Sequence, residues 1–147
     1  MNQTKPAAPI HLWIIGILSL LWNAIGAIDY LATQFGVASY MSQFSPEQLD
    51  YFDAFPTWMV AAWATGVWGS VLGSVALLLR KTWAFWLFLA SLIGLALSSI
   101  YNFALSDGLE IMGSGAAIFN AVIWLIALFL LFYARAMVKR GVLKEPG

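Results

Sequence analysis

The chain has 147 residues, of which 62% are hydrophobic and 10% charged, with seven basic and seven acidic side chains balancing to zero. A soluble domain carries about 25% charged residues, so this composition excludes a water-soluble globule and makes lipid much of the solvent. With no cysteine and a single histidine, disulfide frameworks, thiolate metal sites and multi-histidine metal centres are excluded as well.

Residues 1–9 are polar, with two prolines and Lys5, and read as a short disordered tail. Apolar sequence follows over residues 10–32, long enough for a helix that needs about 20 residues to cross hydrocarbon. A lysine before an apolar run is also the pattern of a signal peptide. This run is long for that role, and no small-x-small site leads into polar sequence, so a retained first span is expected. Within it lies Trp22-Asn23-Ala24-Ile25-Gly26-Ala27-Ile28-Asp29-Tyr30. Asp29 is the single acidic residue in any of the apolar segments, and a carboxylate in or near hydrocarbon is a functional candidate by default.

Residues 34–56 form the one long connection. Ser45-Pro46-Glu47-Gln48 marks a helix start: Ser45 can cap, Pro46 suits the first helical position, and Gln48 completes a capping box. Leu49, Phe52 and Phe55 recur at spacing three, with Glu47, Asp50 and Asp53 on another face. A short amphipathic helix over 46–55, lying on the membrane surface, is expected. Spans over 57–79 and 82–104 follow, separated by Arg80-Lys81 as a tight antiparallel hairpin. A short acidic loop with Asp107 and Glu110 leads to a fourth span over 115–133. Residues 134–147 read as a basic tail.

The basic residues Lys5, Arg80, Lys81, Arg135, Lys139, Arg140 and Lys144 fall on one side of this plan. The opposite loops hold Glu47, Asp50, Asp53, Asp107 and Glu110. The positive-inside rule then puts both termini in the cytoplasm and the long loop outside. Trp13, Trp83 and Trp86 fall near the cytoplasmic ends of spans and Trp58 near an outer end, as interfacial belts require.

Close packing in lipid depends on small residues, and each span carries a stripe of them. They are Gly16, Ser19, Asn23, Gly26 and Tyr30 in the first span; Ala62, Gly66, Gly69, Gly73 and Ala76 in the second; Ser91, Gly94 and Ser98 in the third, with Asn102 one turn on; and Gly113, Ala117, Asn120, Trp124 and Ala127 in the fourth. The expected fold is an all-α membrane protein: one domain, an antiparallel bundle of four transmembrane helices with a surface helix in the first outer loop. The same small-residue stripes could instead mark a homodimer contact.

If the stripes face inward, Asn23, Asn102 and Asn120 converge, with Asp29 near the outer end of its helix. Asp29 is then the lip of a pocket or a partner for Tyr101 or Asn102. Trp63 shares the outer depth and Trp68 lies nearer mid-membrane. Amides and a carboxylate over aromatic faces could bind a small polyhydroxylated or cationic solute at Asn23, Asp29, Trp63, Trp68, Asn102 and Asn120. The same amides could instead hold the helices together by hydrogen bonds, which average about 0.6 kcal/mol in one membrane protein. His11 reads as an interfacial polar residue. No nucleophile with a base, no phosphate loop and no metal cluster is present, so no enzyme, cofactor or nucleic-acid partner is expected. The expected partners are the lipid bilayer, a second copy of the chain and a small polar solute.

The motifs Trp22-Asn23-x-x-Gly26-x-x-Asp29-Tyr30, Ser45-Pro46-Glu47-Gln48, Phe55-Pro56-x-Trp58, Gly66-Val67-Trp68-Gly69 and Leu78-Leu79-Arg80 resemble those of a group of small four-span bacterial inner-membrane proteins that commonly carry the label "sugar transporter". The resemblance covers nearly the whole chain. It implies a bacterial inner-membrane location and solute transport, and it assigns no residue a role. A single four-helix bundle has little room for an alternating-access path, so transport would require an oligomer. An accessory, structural or sensor membrane subunit is the alternative.

Overall fold

The computed structural model describes residues 7–144, whose regular elements are all helices, without a strand among them. Lys5 and most of the N-terminal tail lie outside the described residues. The elements are α1 (Ile10–Gln34), α2 (Ala38–Met41), α3 (Pro46–Asp53), α4 (Thr57–Leu78), α5 (Trp83–Ile100), a π-helical turn (Tyr101–Leu105), α6 (Gly108–Met112) and α7 (Ser114–Lys139). Four of these are long and apolar enough to cross a membrane: α1, α4, α5 with its π turn, and α7. On α1, Ile14, Ile17, Leu18, Leu21, Ile25 and Ile28 are all exposed. A stripe of that size would aggregate in water and is ordinary against lipid, so the chain is compatible with a multi-pass integral membrane protein.

The α4–α5 pair is the tightest contact in the fold. A methyl group built on Gly94 would lie 2.5 Å from the Ala62 carbonyl oxygen and 2.6 Å from the Gly66 nitrogen. The two backbones touch there, so the stripe on α4 and the stripe on α5 are one seam. Gly69 meets Ser91, and Gly73 meets the Phe88 ring, farther along it. α1 packs on an adjoining face of α4 through hydroxyls and an amide. Ser19 Oγ lies 2.8 Å from Ser74 Oγ, and Asn23 Nδ2 donates to Ser74 Oγ at 3.0 Å and to the Ser70 carbonyl at 3.1 Å. Ser70 Oγ continues to Ser91 Oγ at 2.8 Å, and Ser91 Oγ donates to the Gly66 carbonyl at 2.6 Å. A polar seam thus crosses three helices without stranding a group: among the described residues, no fully buried side-chain nitrogen or oxygen lacks a partner.

α7 departs from the expected pattern twice. First, the helix continues through residues read as a basic tail and ends at Lys139. Ala134 and Met137 are buried there, which gives the extension an apolar face and a reason to stay helical. Second, its small-residue stripe is a seam only in part, through Asn120 and Trp124, which both bond Ser99 of α5. The buried residues of α7 are Leu130, Leu131, Ala134 and Met137, while Ala117, Asn120, Trp124 and Ala127 are not among them. Gly113 caps the helix from outside it, at φ 91°. None of the stripe is fully buried, and Asn120 and Ala127 also border a cavity.

The core gathers at the end where the basic residues lie. Leu12, Ala76, Leu77, Ala84, Phe88, Leu130, Ala134 and Met137 draw in all four long helices. The last described residues close it. Gly141 (φ 74°) ends α7 in a Schellman motif: its N–H bonds to Val138, and Val142 N–H reaches back to Met137. Lys144 then pairs with the α4–α5 turn, donating its N–H to Arg80 at 2.9 Å and accepting from Thr82 at 3.0 Å. Arg80 ends α4 in the same motif but at φ 58°, a conformation that favours glycine, and its Nε donates to the Val142 carbonyl at 3.0 Å. The strap seats Val142 and Leu143 in the core, 1% and 3% exposed. Leu143→Ala should therefore cost about 2–4 kcal/mol, read as an earlier midpoint in unfolding of the detergent-solubilised protein, although residue 143 lies beyond every span.

Candidate functional site

The polar residues of the half away from the core do not close on themselves. α1 and α7 meet at the core end, where His11 Nδ1 lies 2.5 Å from the Tyr133 hydroxyl. Farther out the Trp22 and Phe119 rings approach at 5.8 Å. Among the helices lies a cavity of about 620 Å³, within the range of small-molecule sites. Asn23, Asp29, Trp63, Asn102 and Asn120 all line it, so five of the six residues singled out from the sequence share one space. Trp68 does not line it. Its ring instead packs edge-on against Tyr30, which also carries Trp63 at 4.8 Å.

Each polar member keeps one atom in the fold. Asn23 uses its amide nitrogen on α4, as described. Asn102 Oδ1 accepts from the Tyr51 hydroxyl at 2.7 Å, and Asn120 Nδ2 donates weakly to Ser99 Oγ at 3.4 Å, a hydroxyl that also accepts from Trp124 Nε1 at 3.0 Å. The other end of each amide has no hydrogen-bonded partner among the described residues. Two acceptors (Asn23 and Asn120) and one donor (Asn102) are thereby available to a guest, fixed in place by the bonds their partner atoms make. Asn102 sits in the π-helical turn, a distortion that occurs often at functional sites.

Two contacts at the end away from the basic residues were not expected from the sequence. Asp29 accepts from the Tyr40 hydroxyl of α2, and neither Tyr101 nor Asn102 is its partner. Burial, the bond to Asp29 and that carboxylate's charge push the Tyr40 pKa up to about 12. The neutral phenol is thus favoured by folding. Its contribution is fully present below about pH 10, the unfolded value, and is lost as pH rises through about 12. Ultraviolet titration should show tyrosines ionising late, and Asp29→Asn should bring one of those titrations to lower pH.

The second contact is α3. Its start is the capping box expected at Ser45, with Gln48 N–H bonding Ser45 Oγ and Ser45 N–H bonding Gln48 Oε1, both at 3.1 Å. The helix is pinned by Tyr51, the one buried residue it has, which lies between the half-buried Leu49 and Phe52 of the expected apolar face. The Tyr51 hydroxyl donates to Asn102 and lies 2.7 Å from Ser106 Oγ. Burial raises its pKa, and the Ser106 bond opposes that rise. Gly108 permits this approach, because a side chain there would strike the Tyr51 hydroxyl and the Asn102 carbonyl. Gln48 Nε2 adds a bond to the Ile111 carbonyl at 3.3 Å. Tyr40, Phe44, Tyr51, Phe52 and Phe55 therefore form an aromatic wall over one side of the cavity. Aromatic residues at intervals of four, Tyr40 with Phe44 and Tyr51 with Phe55, were the available signal.

The arrangement can hold a guest by hydrogen bonds and ring faces. No cluster of three or more histidine, cysteine, aspartate or glutamate side chains suited to a metal occurs among the described residues. Compared with protein-family models, with curated proteins and with solved structures, the chain matches none of them.

Proposed function

We propose that this is a protein of the bacterial inner membrane, with an antiparallel four-helix bundle and both termini in the cytoplasm, that carries a small polar, sugar-like solute. The observation that carries this reading is the convergence of Asn23, Asp29, Trp63, Asn102 and Asn120, from three spans and the π turn, on one cavity. Pockets for small molecules are mostly apolar walls with a few well-placed polar groups, and this one has that character. Aromatic faces suit the C–H face of a sugar ring, and the spare amide atoms and Asp29 suit its hydroxyls. In this reading α3 sits at the outer membrane surface, where Tyr51 and Tyr40 fasten it and α2 over the cavity. Passage to the other side needs movement that a single bundle does not provide, so the transporting unit is an oligomer of this chain.

One observation favours a second reading. Every amide of the set already bonds the fold, which is what a non-transporting accessory, structural or sensor subunit would need. Uptake of labelled monosaccharides and disaccharides into proteoliposomes tests the first reading. Accumulation above empty vesicles, saturable with solute, is expected. No uptake across the panel by folded protein would overturn it in favour of the second.

A further inference from the structure

We propose that the groove between the start of α5 and the end of α7 is a discrete binding site for one anionic phospholipid. It has a volume of about 570 Å³ and is walled by Trp83, Phe85 and Trp86 on one side and by Arg135, Val138 and Lys139 on the other. Arg135 and Lys139 are one turn apart on α7, so both heads reach the same lip. Both are exposed, and neither forms an ion pair or hydrogen bond among the described residues. No carboxylate lines the groove. Trp83 and Trp86 are 40% and 65% exposed, and neither indole N–H has a protein acceptor among the described residues. Two unpaired cations and two unpaired donors therefore border one apolar slot.

Charge and position name the occupant. The described basic residues gather at this end of the helices and the described acidic residues lie away from it, so the lip falls at headgroup level on the side that carries positive charge. Arg135 offers a phosphate two parallel N–H donors, and Lys139 adds a point charge. The indoles suit the ester and glycerol region, as interfacial tryptophans do. At the same level Phe85 and Val138 give the slot apolar walls, against which the start of one acyl chain lies. A free phosphate would use the lip and leave the slot empty. The occupant is a lipid with a net negative headgroup, such as phosphatidylglycerol. This site is separate from the outer cavity and stands whether or not that cavity binds a solute.

Native mass spectrometry of the detergent-solubilised full chain, titrated with phosphatidylglycerol or phosphatidylcholine, tests the proposal. Phosphatidylglycerol should give one saturable adduct, and phosphatidylcholine should give none at the same dose. Arg135→Gln with Lys139→Gln should weaken the adduct about thirtyfold, taking roughly 1 kcal/mol for each cation at a headgroup. Arg140→Gln with Lys144→Gln removes the same charge outside the groove and should change binding less than threefold. Trp86→Leu, which leaves all charge in place, should also weaken the adduct. Equal loss in the two charge variants would reduce the effect to diffuse attraction and overturn the site. So would equal binding of phosphatidylcholine, or displacement of the lipid by millimolar inorganic phosphate.

Discussion

Gly94→Ala is expected to be among the most damaging single methyl groups that can be added to this protein. The new carbon would press on the Ala62 carbonyl oxygen at 2.5 Å and on the Gly66 nitrogen at 2.6 Å. Both are backbone atoms inside helices, so neither can turn aside as a side chain would. Overpacking costs about 1–3 kcal/mol where neighbours can shift, and here two helices must separate, so the cost sits at or above the top of that range. The α4–α5 seam also carries the Ser70–Ser91 and Ser91–Gly66 bonds, which lengthen with it. Unfolding by sodium dodecyl sulfate from mild detergent would read the loss directly. Gly26→Ala is the matched control. Nothing lies within 4 Å of the carbon it would add, and alanine favours a helix over glycine by about 1 kcal/mol. That variant should be as stable as the parent or slightly more so. Equal damage from both would mean that the α4–α5 approach is looser than described.

The second large effect concerns Asn23. Asn23→Ala removes the donor to Ser70 and Ser74. At about 0.6 kcal/mol for an average interhelical bond and about 1.7 at most, the loss is about 1–3 kcal/mol, and the protein should still fold. If the outer cavity carries solute, uptake into proteoliposomes should fall at least tenfold, because the free acceptor of that amide goes as well. Ser74→Ala separates the two roles. Ser74 is wholly buried, bonds both Ser19 and Asn23, and does not line the cavity. It should cost similar stability and leave uptake within a factor of two or three. Parallel losses of uptake in both variants would assign Asn23 to packing and count against the site.

The contrast between Gly94 and Gly26 also shows how far the sequence could be read. Both sit in stripes of small residues, and spacing gave them equal weight. The spans themselves were legible because twenty apolar residues in a row have few other uses. The Ser45 capping box was legible because it is local: both partners are three residues apart. The stripes on α4 and α5 were legible because both helices really do touch there. The stripe on α7 was legible only in part: Asn120 and Trp124 do meet Ser99 of α5, but the residues that let two helices meet also leave space where they do not. Asn120 and Ala127 border a void with the same side chains that would line a seam. The site was legible where a polar residue in an apolar run is conspicuous, which applies to Asn23, Asp29, Asn102 and Asn120. It was not legible where the partner comes from a loop. Tyr40 and Tyr51 follow no period that points them at Asp29 and Asn102, and the Tyr51–Asn102 bond spans 51 residues of chain. Trp68 was placed by depth alone, and depth does not say which way a ring points.

The strap that joins Lys144 to Arg80 and Thr82 sets an order of events during biosynthesis. α4 and α5 leave the ribosome early and can pair at once, since their contacts are close in the chain. The turn between them cannot take its final form then. Arg80 sits in a left-handed conformation, and its bonds to Val142 and Lys144 form with residues 62 and 64 positions further along the chain. Val142 and Leu143 fill the floor of the core beneath Leu12 of the first helix. α1 therefore waits for residues 142–144 before its end of the core is sealed. Until translation passes residue 144, the hairpin is held from one side only, and an insertase or chaperone would meet the chain in that half-closed form.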